Sequence, residues 1–481
     1  MEDSFKTSIV KNFFWSFLGQ SGYLIIGLIA NIILARLLSP FEFGQVGIIM
    51  FFIIIAKVLT ESGLSGALIR KKETSETDYS TIFIFNLVVS TVLMCILLAL
   101  SGVIADFYND PELKLILIAS SSVLFINAFQ ITQNAKLIKD LKFKKKAKYE
   151  VIAIFFASII GVLLAFNNAG VWAIVVMQIA TAFFLSVLLW VFEGPLKTLV
   201  FNKKSFKSMY KFGVNTTLAS LLNTVFDNVY QLILGRYFTI TQTGFFYQGK
   251  KLQEIPVGII KSTTLGVVFS TLSKEQENTE QFNLLYNKIV SLFTVIIGLI
   301  CLLVFFYAEN MILLLYGEKW IGALFYVQIL IIASFFYLQE IFNRIIFKVF
   351  DKTEKILFLE IIKKVIQSIT IVIGVVLRDI EVLLYGFLLI SIISYLINYY
   401  VSRNIMCKNS WKEIILVFKV FSICCFLGYF VNVMKVFMTL ERYEDIYLLP
   451  LILVFYLFIL HFFKVLNVRG VIQVILKTIK I

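Results

Sequence analysis

Apolar runs of about 20 residues recur along the whole chain, separated by short polar connections, and this recurrence leaves few folds open. A helix of that length rises about 30 Å, the thickness of a bilayer's hydrocarbon core. The runs lie near residues 12–38, 44–69, 80–104, 113–134, 149–166, 169–192, 211–235, 244–272, 283–308, 321–343, 355–377, 381–402, 411–434 and 446–463. Hydrophobic residues make up 59% of the 481 and charged residues 15%, so no stretch is long and polar enough to be a soluble domain. The pattern predicts an all-α membrane protein with about 14 transmembrane helices. The first run, Phe13 to Leu38, is too long for a signal-peptide core and lacks a small-residue cleavage site behind it, so it is read as a retained span.

The net charge of +14 raises nucleic acid as a partner, but the basic residues are scattered between spans and membrane topology explains them better. Lys and Arg concentrate in alternate connections. The densest is Lys139-Asp-Leu-Lys-Phe-Lys-Lys-Lys-Ala-Lys148, whereas Asn167-Asn-Ala-Gly170 carries no charge. Both termini are therefore expected on the cytoplasmic side of the membrane. The outward connections are all short, which excludes polymerases and ligases that need a large external catalytic loop.

A repeat relates the first and seventh spans at an offset of 200. Ile33-Leu34-Ala35-Arg36 matches Ile233-Leu234-Gly235-Arg236, Gly44 matches Gly244, and Asn31/Gln231 and Ser39/Thr239 are similar pairs. Six spans separate the copies, so the repeat is parallel and predicts two six-helix lobes about an axis along the membrane normal, followed by two additional C-terminal helices. The expected divisions are 1–192, a basic linker at 193–210 on the inner leaflet, 211–403, and 404–481.

Charges inside spans are the other informative feature, because each costs about 2.5 to 3.5 kcal/mol at the bilayer centre unless paired, hydrated or snorkelling. Lys57 lies roughly 19 Å along its run and Glu61 follows one turn later, a possible ion pair. The eighth span carries Lys250, Lys251, Glu254 and Lys261, with Pro256 expected to kink or break the helix. Asn223, Asp227 and Gln231 form a stripe in the seventh span, and Glu360, Lys363, Lys364 and Gln367 lie about two turns into the eleventh. Two readings stand: polar glue between helices, or a watery cationic cavity shared by the lobes, which the excess of lysine over acid favours.

Enzymatic chemistry finds little footing. The one histidine, His461, sits in the last span, and no phosphate-binding G-x-x-x-x-G-K-[ST] loop occurs. Cys95, Cys301, Cys407, Cys424 and Cys425 lack metal-ligand spacing and read as small buried hydrophobes. No catalytic residue, cofactor or metal site is expected.

Ala35-Arg36-Leu37-Leu38-Ser39-Pro40, Phe43-Gly44 and Gly63-Leu-Ser-Gly-Ala-Leu-Ile69 with Arg70-Lys71-Lys72 resemble the opening of bacterial polysaccharide exporters of the Wzx type. These belong to the multidrug, oligosaccharidyl-lipid and polysaccharide transporter superfamily, and the colanic acid and teichuronic acid exporter-like proteins are the most similar subgroup. Ser80-Thr81, Asn86, Leu234-Gly-Arg-Tyr-Phe238, Gly244-Phe-Phe246, Ile255-Pro256 and Val268-Phe-Ser-Thr-Leu-Ser273 extend the likeness. Ser270 stands where such proteins often have proline, and Lys57 where an uncharged or acidic residue is commoner. The resemblance implies a flippase that carries polyprenyl-diphosphate-linked oligosaccharide to the outer leaflet by alternating access of two lobes, for O-antigen, capsule or exopolysaccharide assembly. A polysaccharide polymerase and chain-length proteins are its implied partners.

On this reading Lys57, Lys250, Lys251 and Lys261 meet the diphosphate, and Arg36 and Arg236 either join them or anchor structure. Asp227, Glu61 and Glu254 are candidates for ion pairing or for a coupling ion. An organic-cation antiporter of the same superfamily, or a non-transporting scaffold of a synthesis complex, are the alternatives; the first should favour an acidic cavity.

Overall fold

The computed structural model describes residues 2–61, 63–406, 411–438, 444–463 and 465; Cys407 and the end of the chain lie outside them. In the N-terminal half the helices are α1 (Glu2–Leu37), α2 (Pro40–Glu61), α3 (Leu64–Arg70), α4 (Glu76–Tyr108), α5 (Glu112–Lys139), α6 (Phe143–Phe166), α7 (Trp172–Glu193) and α8 (Lys203–Tyr237). They continue with α9 (Ile240–Thr263), α10 (Phe269–Ser273), α11 (Thr279–Phe306), α12 (Ala308–Leu315), α13 (Leu324–Val349), α14 (Thr353–Leu377), α15 (Ile380–Ile405), α16 (Lys412–Phe437) and α17 (Leu449–Phe462). Eleven helical stretches among the described residues are long and apolar enough to cross a membrane. The other expected spans fall short for physical reasons. α8 and α14 carry the polar stripes seen in the sequence, and α17 has only 14 residues.

Large apolar side chains face outward throughout, Phe166, Val191, Val376 and Tyr429 among them, the inverse of a soluble surface and the expected covering for a chain solvated by lipid. Cys95 and Cys425 share that outward face, Cys424 is half-buried and Cys301 is buried, so burial holds for only part of the set.

The chain packs as two compact units, residues 1–247 and 248–481. In the first, α1 lies on α6, α6 on α7, and α4 and α7 on α5, while α8 lies along α2, α3 and α4. The linker between α7 and α8 is tied down. Ser80 and Thr81 of α4 accept from the backbone N–H groups of Val200 and Asn202 at 2.6 and 3.0 Å, and Leu196 is buried. Leu199, Val200 and Phe201 stay exposed beside Lys203 and Lys204, as a stretch at a lipid–water boundary would.

In the second unit α13 packs on α15 and α11, α14 on α15, and α16 on α11, around one continuous core that includes Phe282, Phe336, Phe342, Tyr395 and Tyr456. A buried pair, Arg403 with Glu413, joins α15 to α16 across the connection between them. Asn343 of α13 donates to Glu413 at 2.9 Å and accepts from Ser402 at 2.8 Å, so three helices share one polar knot. Nearer the other end of α11, Gly298 lets α16 and α17 approach: a Cβ there would meet Tyr456 Oη and Val420 Cγ1 at 2.7 Å.

Candidate functional site

The repeat read from the sequence has a structural counterpart where the two helices of each pair join. α1 ends at Leu37 and α2 opens at Pro40; 200 residues later α8 ends at Tyr237 and α9 opens at Ile240. The first opening is a capping box, in which a hydroxyl and a longer acceptor three residues on satisfy the exposed amides of a helix start, and the second keeps its hydroxyl-to-amide half. In the first, Ser39 N–H and Oγ donate to Glu42 Oε2 at 2.6 and 2.7 Å and Glu42 N–H donates to Ser39 Oγ at 3.3 Å. In the second, Thr239 Oγ1 donates to Gln242 Oε1 and Gln242 N–H donates back to Thr239 Oγ1, both at 3.1 Å.

The two openings touch. A Cβ on Gly44 would sit 1.9 Å from the carbonyl oxygen of Ile240, and one on Gly244 would sit 1.8 Å from that of Pro40. Only the absence of side chains at both glycines permits this reciprocal approach. Around it, Gln45 donates to Asp110 at 2.8 Å and Glu112 at 3.0 Å. Arg236 lies over the Phe107 ring at 4.4 Å and donates to its carbonyl, so this arginine caps α4. Its partner in the repeat, Arg36, is exposed.

Deeper along α2, Lys57 and Glu61 are both exposed and, among the described residues, form no ion pair. On α8 Asn223 and Asp227 are exposed and Gln231 is buried.

In the second unit α9 runs through Pro256 without interruption; the departure from α geometry comes eight residues later, in a π-helical turn at Thr264–Val268. Pro256 therefore does not break the helix. Lys250 reaches Glu254 at 3.9 Å, a loose contact one turn apart, and Glu254 is 58% exposed. Gln253 bonds Ser334 of α13, and Lys261 stands over the ring of Tyr337 at 5.8 Å.

Sequence reasoning missed the densest charge cluster, although it named half of its members. Lys363 donates to Glu340 at 2.6 Å and to Glu360 at 2.7 Å, and Arg344 Nη1 lies 2.9 Å from Glu360 and 3.8 Å from Glu340. Glu340, Arg344 and Lys348 are spaced i, i+4, i+8 on α13, a signal present in the sequence but cut by ending that run at residue 343. The quartet of two acids and two bases is neutral. Glu360 and Lys363 are therefore a buried ion-pair network, while Lys261 and Lys348 are surplus charge.

A bundle of this length and apolarity, with eleven stretches able to cross a bilayer among the described residues, is a multi-pass membrane protein. Residues 33–325, more than half of the chain, match the family described as polysaccharide biosynthesis protein, and the chain belongs to that family. It is 22% identical to the lipopolysaccharide biosynthesis protein WzxC of Escherichia coli over 84% of this chain and 82% of that one. It is 23% identical to the succinoglycan biosynthesis transport protein ExoT of Rhizobium meliloti over 65% of this chain, a match that spans 63% of ExoT. Its fold is that of the lipid II flippase MurJ in an inward closed conformation, with a TM-score of 0.73, 16% identity, and coverage of 93% of this chain and 98% of that one.

Proposed function

We propose that this protein moves a polyprenyl-diphosphate-linked oligosaccharide from the inner to the outer leaflet of a bacterial cytoplasmic membrane. The motion is alternating access of lobes divided by the linker at 193–210, with both termini inside. The observation that carries this reading is the surplus of cation within spans: Lys57 in the first unit, Lys261 and Lys348 in the second, none with an acidic partner among the described residues. A diphosphate leaving water needs such partners, and charge-assisted hydrogen bonds are the strong ones. The relatives named above include a transport protein for succinoglycan, and the solved fold includes a lipid II flippase, so lipid-linked saccharide is the substrate class that agrees with both. An organic-cation antiporter would need the opposite surplus.

In this scheme Lys57, Lys250, Lys251 and Lys261 neutralise the diphosphate. Arg236 is an anchor of the outer end, and Asp227 is the candidate for a coupling proton or cation. The carrier makes and breaks no covalent bond, and the saccharide is passed on to a polymerase and its chain-length partner. The test is genetic and chemical together: deletion should abolish surface polysaccharide and leave lipid-linked precursor on the inner leaflet. Loss of the precursor itself would place the protein in synthesis and defeat the proposal.

A further inference from the structure

The linker between α7 and α8 is fixed on one side and bare on the other. Val200 and Asn202 donate their backbone N–H groups to Ser80 and Thr81, and Leu196 and Met209 are buried in one cluster with Phe83, against which Phe129 and Trp190 pack. The Phe201 ring lies 5.7 Å from that of Phe206, itself 4.9 Å from Phe85 of α4. Held this way, the segment presents Leu199, Val200 and Phe201, all exposed, between Lys197 on one side and Lys203 and Lys204 on the other. These three lysines are exposed as well, and among the described residues none has an acidic partner. Apolar side chains flanked by unpaired lysines match the boundary between water and an anionic leaflet.

Beside the linker, on the surface of α5 and α7, lies a groove of about 260 Å³ lined by Phe125, Ile126, Phe129, Phe183, Val187 and Trp190. Phe125 and Phe183 are exposed, so it opens outward. Its polar neighbours are spent within the protein: Ser186 Oγ donates to the Ile126 carbonyl at 3.0 Å, and Trp190 Nε1 donates to the Phe129 carbonyl at 2.9 Å. Such walls suit a hydrocarbon chain and offer a headgroup nothing. Along α7 the groove covers Phe183 to Trp190, about 10 Å at 1.5 Å per residue, and stops about 5 Å short of the helix end at Glu193. Gln133 of α5 donates to the Gly194 carbonyl at 2.7 Å, so the linker sets out from the end of the groove, and Lys197 follows three residues later.

We infer that groove and linker together hold one anionic phospholipid, with an acyl chain between α5 and α7 and its phosphate among Lys197, Lys203 and Lys204, in the leaflet that the topology proposed above makes the inner one. The occupant is a bilayer phospholipid because these lysines lie beyond the end of α7, in the headgroup layer, where the membrane's own lipids arrive laterally. The site ties the segment joining α7 to α8 to the negative charge of its leaflet, and it does not depend on what the protein transports.

The test reads tryptophan fluorescence of the full chain in phosphatidylcholine vesicles, titrated with phosphatidylglycerol or phosphatidylcholine that carries bromine on its acyl chains. Bromine quenches an indole it touches, and the share of Trp190 is the difference between the parental protein and Trp190→Phe. Phe183→Trp, on the exposed lip of the groove, is a second reporter that leaves the Trp190 hydrogen bond in place. Brominated phosphatidylglycerol should reach half-quenching at a mole fraction at least about fivefold lower than brominated phosphatidylcholine. Lys197→Gln, Lys203→Gln and Lys204→Gln should each narrow that ratio by up to about fivefold, the worth of one lysine near an anionic surface. All three side chains are exposed, so these variants lose no packing. Equal quenching by the two lipids, quenching by neither, or a ratio unchanged in all three lysine variants overturns the inference. Relief of the quenching by added polyprenyl diphosphate assigns the groove to the transported lipid and also overturns it.

Discussion

Closure of the outward end should depend on two hydrogen atoms, those of Gly44 and Gly244 that occupy the place of a side chain. In Gly244→Ala the new Cβ would start 1.8 Å from the Pro40 carbonyl oxygen and 2.8 Å from its carbon, and in Gly44→Ala 1.9 Å from the Ile240 oxygen. Both obstacles are backbone, so no rotamer relieves them, and the two helix openings must part by about 1 Å or more to restore van der Waals contact. Overpacking of this kind costs about 1 to 3 kcal/mol, which is a shift of about 5- to 150-fold in the ratio of closed to open molecules.

The readout is labelling of Lys57→Cys, in a background without other cysteines, by a thiol reagent that does not cross the membrane. Applied from outside, the reagent should label slowly when the glycines are intact and faster by that factor in either alanine variant, with transport reduced because the carrier no longer closes outward. Parental labelling and parental transport in both alanine variants would refute the reasoning, since the reciprocal contact would then carry no share of the closed state.

Four further outcomes follow from the same geometry. Lys57→Ala, Lys250→Ala and Lys261→Ala should insert at parental levels, read by membrane immunoblot, yet lower surface polysaccharide several-fold, because none of the three lysines is part of the packed core. Glu413→Gln should lower the unfolding midpoint in detergent, as breaking a buried pair costs about 3 to 5 kcal/mol, whereas replacing Arg403 and Glu413 together by leucine should recover much of the loss. Gly298→Leu should loosen α16 and α17 from α11, seen as new protease sensitivity in the connection between them with the rest of the chain resistant. Reporters fused after Lys146 should read cytoplasmic and those after Asn168 external; the reverse at Lys146 would overturn the topology.

The helical fold was legible because lipid imposes one rule on a span, that its backbone satisfy itself, so length and apolarity find the eleven apolar stretches among the described residues but not the polar α8 and α14 or the short α17. The offset-200 repeat was legible for a local reason. Ser39 with Glu42 and Thr239 with Gln242 are cap signals, and a cap binds within its own four residues, so the helix boundaries at 37/40 and 237/240 were already written there. What periodicity cannot reveal is which helix a charge faces across. Glu360 and Lys363 were visible as a stripe, but their partners Glu340 and Arg344 come from α13, and Arg403 finds Glu413 on the next helix. Lys57 and Glu61 show the converse: spacing of one turn allowed a pair, and among the described residues the two exposed side chains form none. Gly44 and Gly244 stood out as identities in the repeat, but their mutual contact is a property of two helix openings meeting, which no single stretch of sequence encodes.

The central claim is that cations within the membrane move a lipid-linked saccharide by meeting its diphosphate. The direct measurement is movement of a labelled polyprenyl-diphosphate oligosaccharide to the opposite leaflet of vesicles holding the purified protein, with and without a proton or sodium gradient. Parental protein should move the lipid well above protein-free vesicles, Lys57→Ala and Lys261→Ala should each slow it by about tenfold, and Asp227→Asn should remove any dependence on the gradient. Movement no faster than in protein-free vesicles, or parental rates in Lys57→Ala, Lys250→Ala and Lys261→Ala alike, would contradict it.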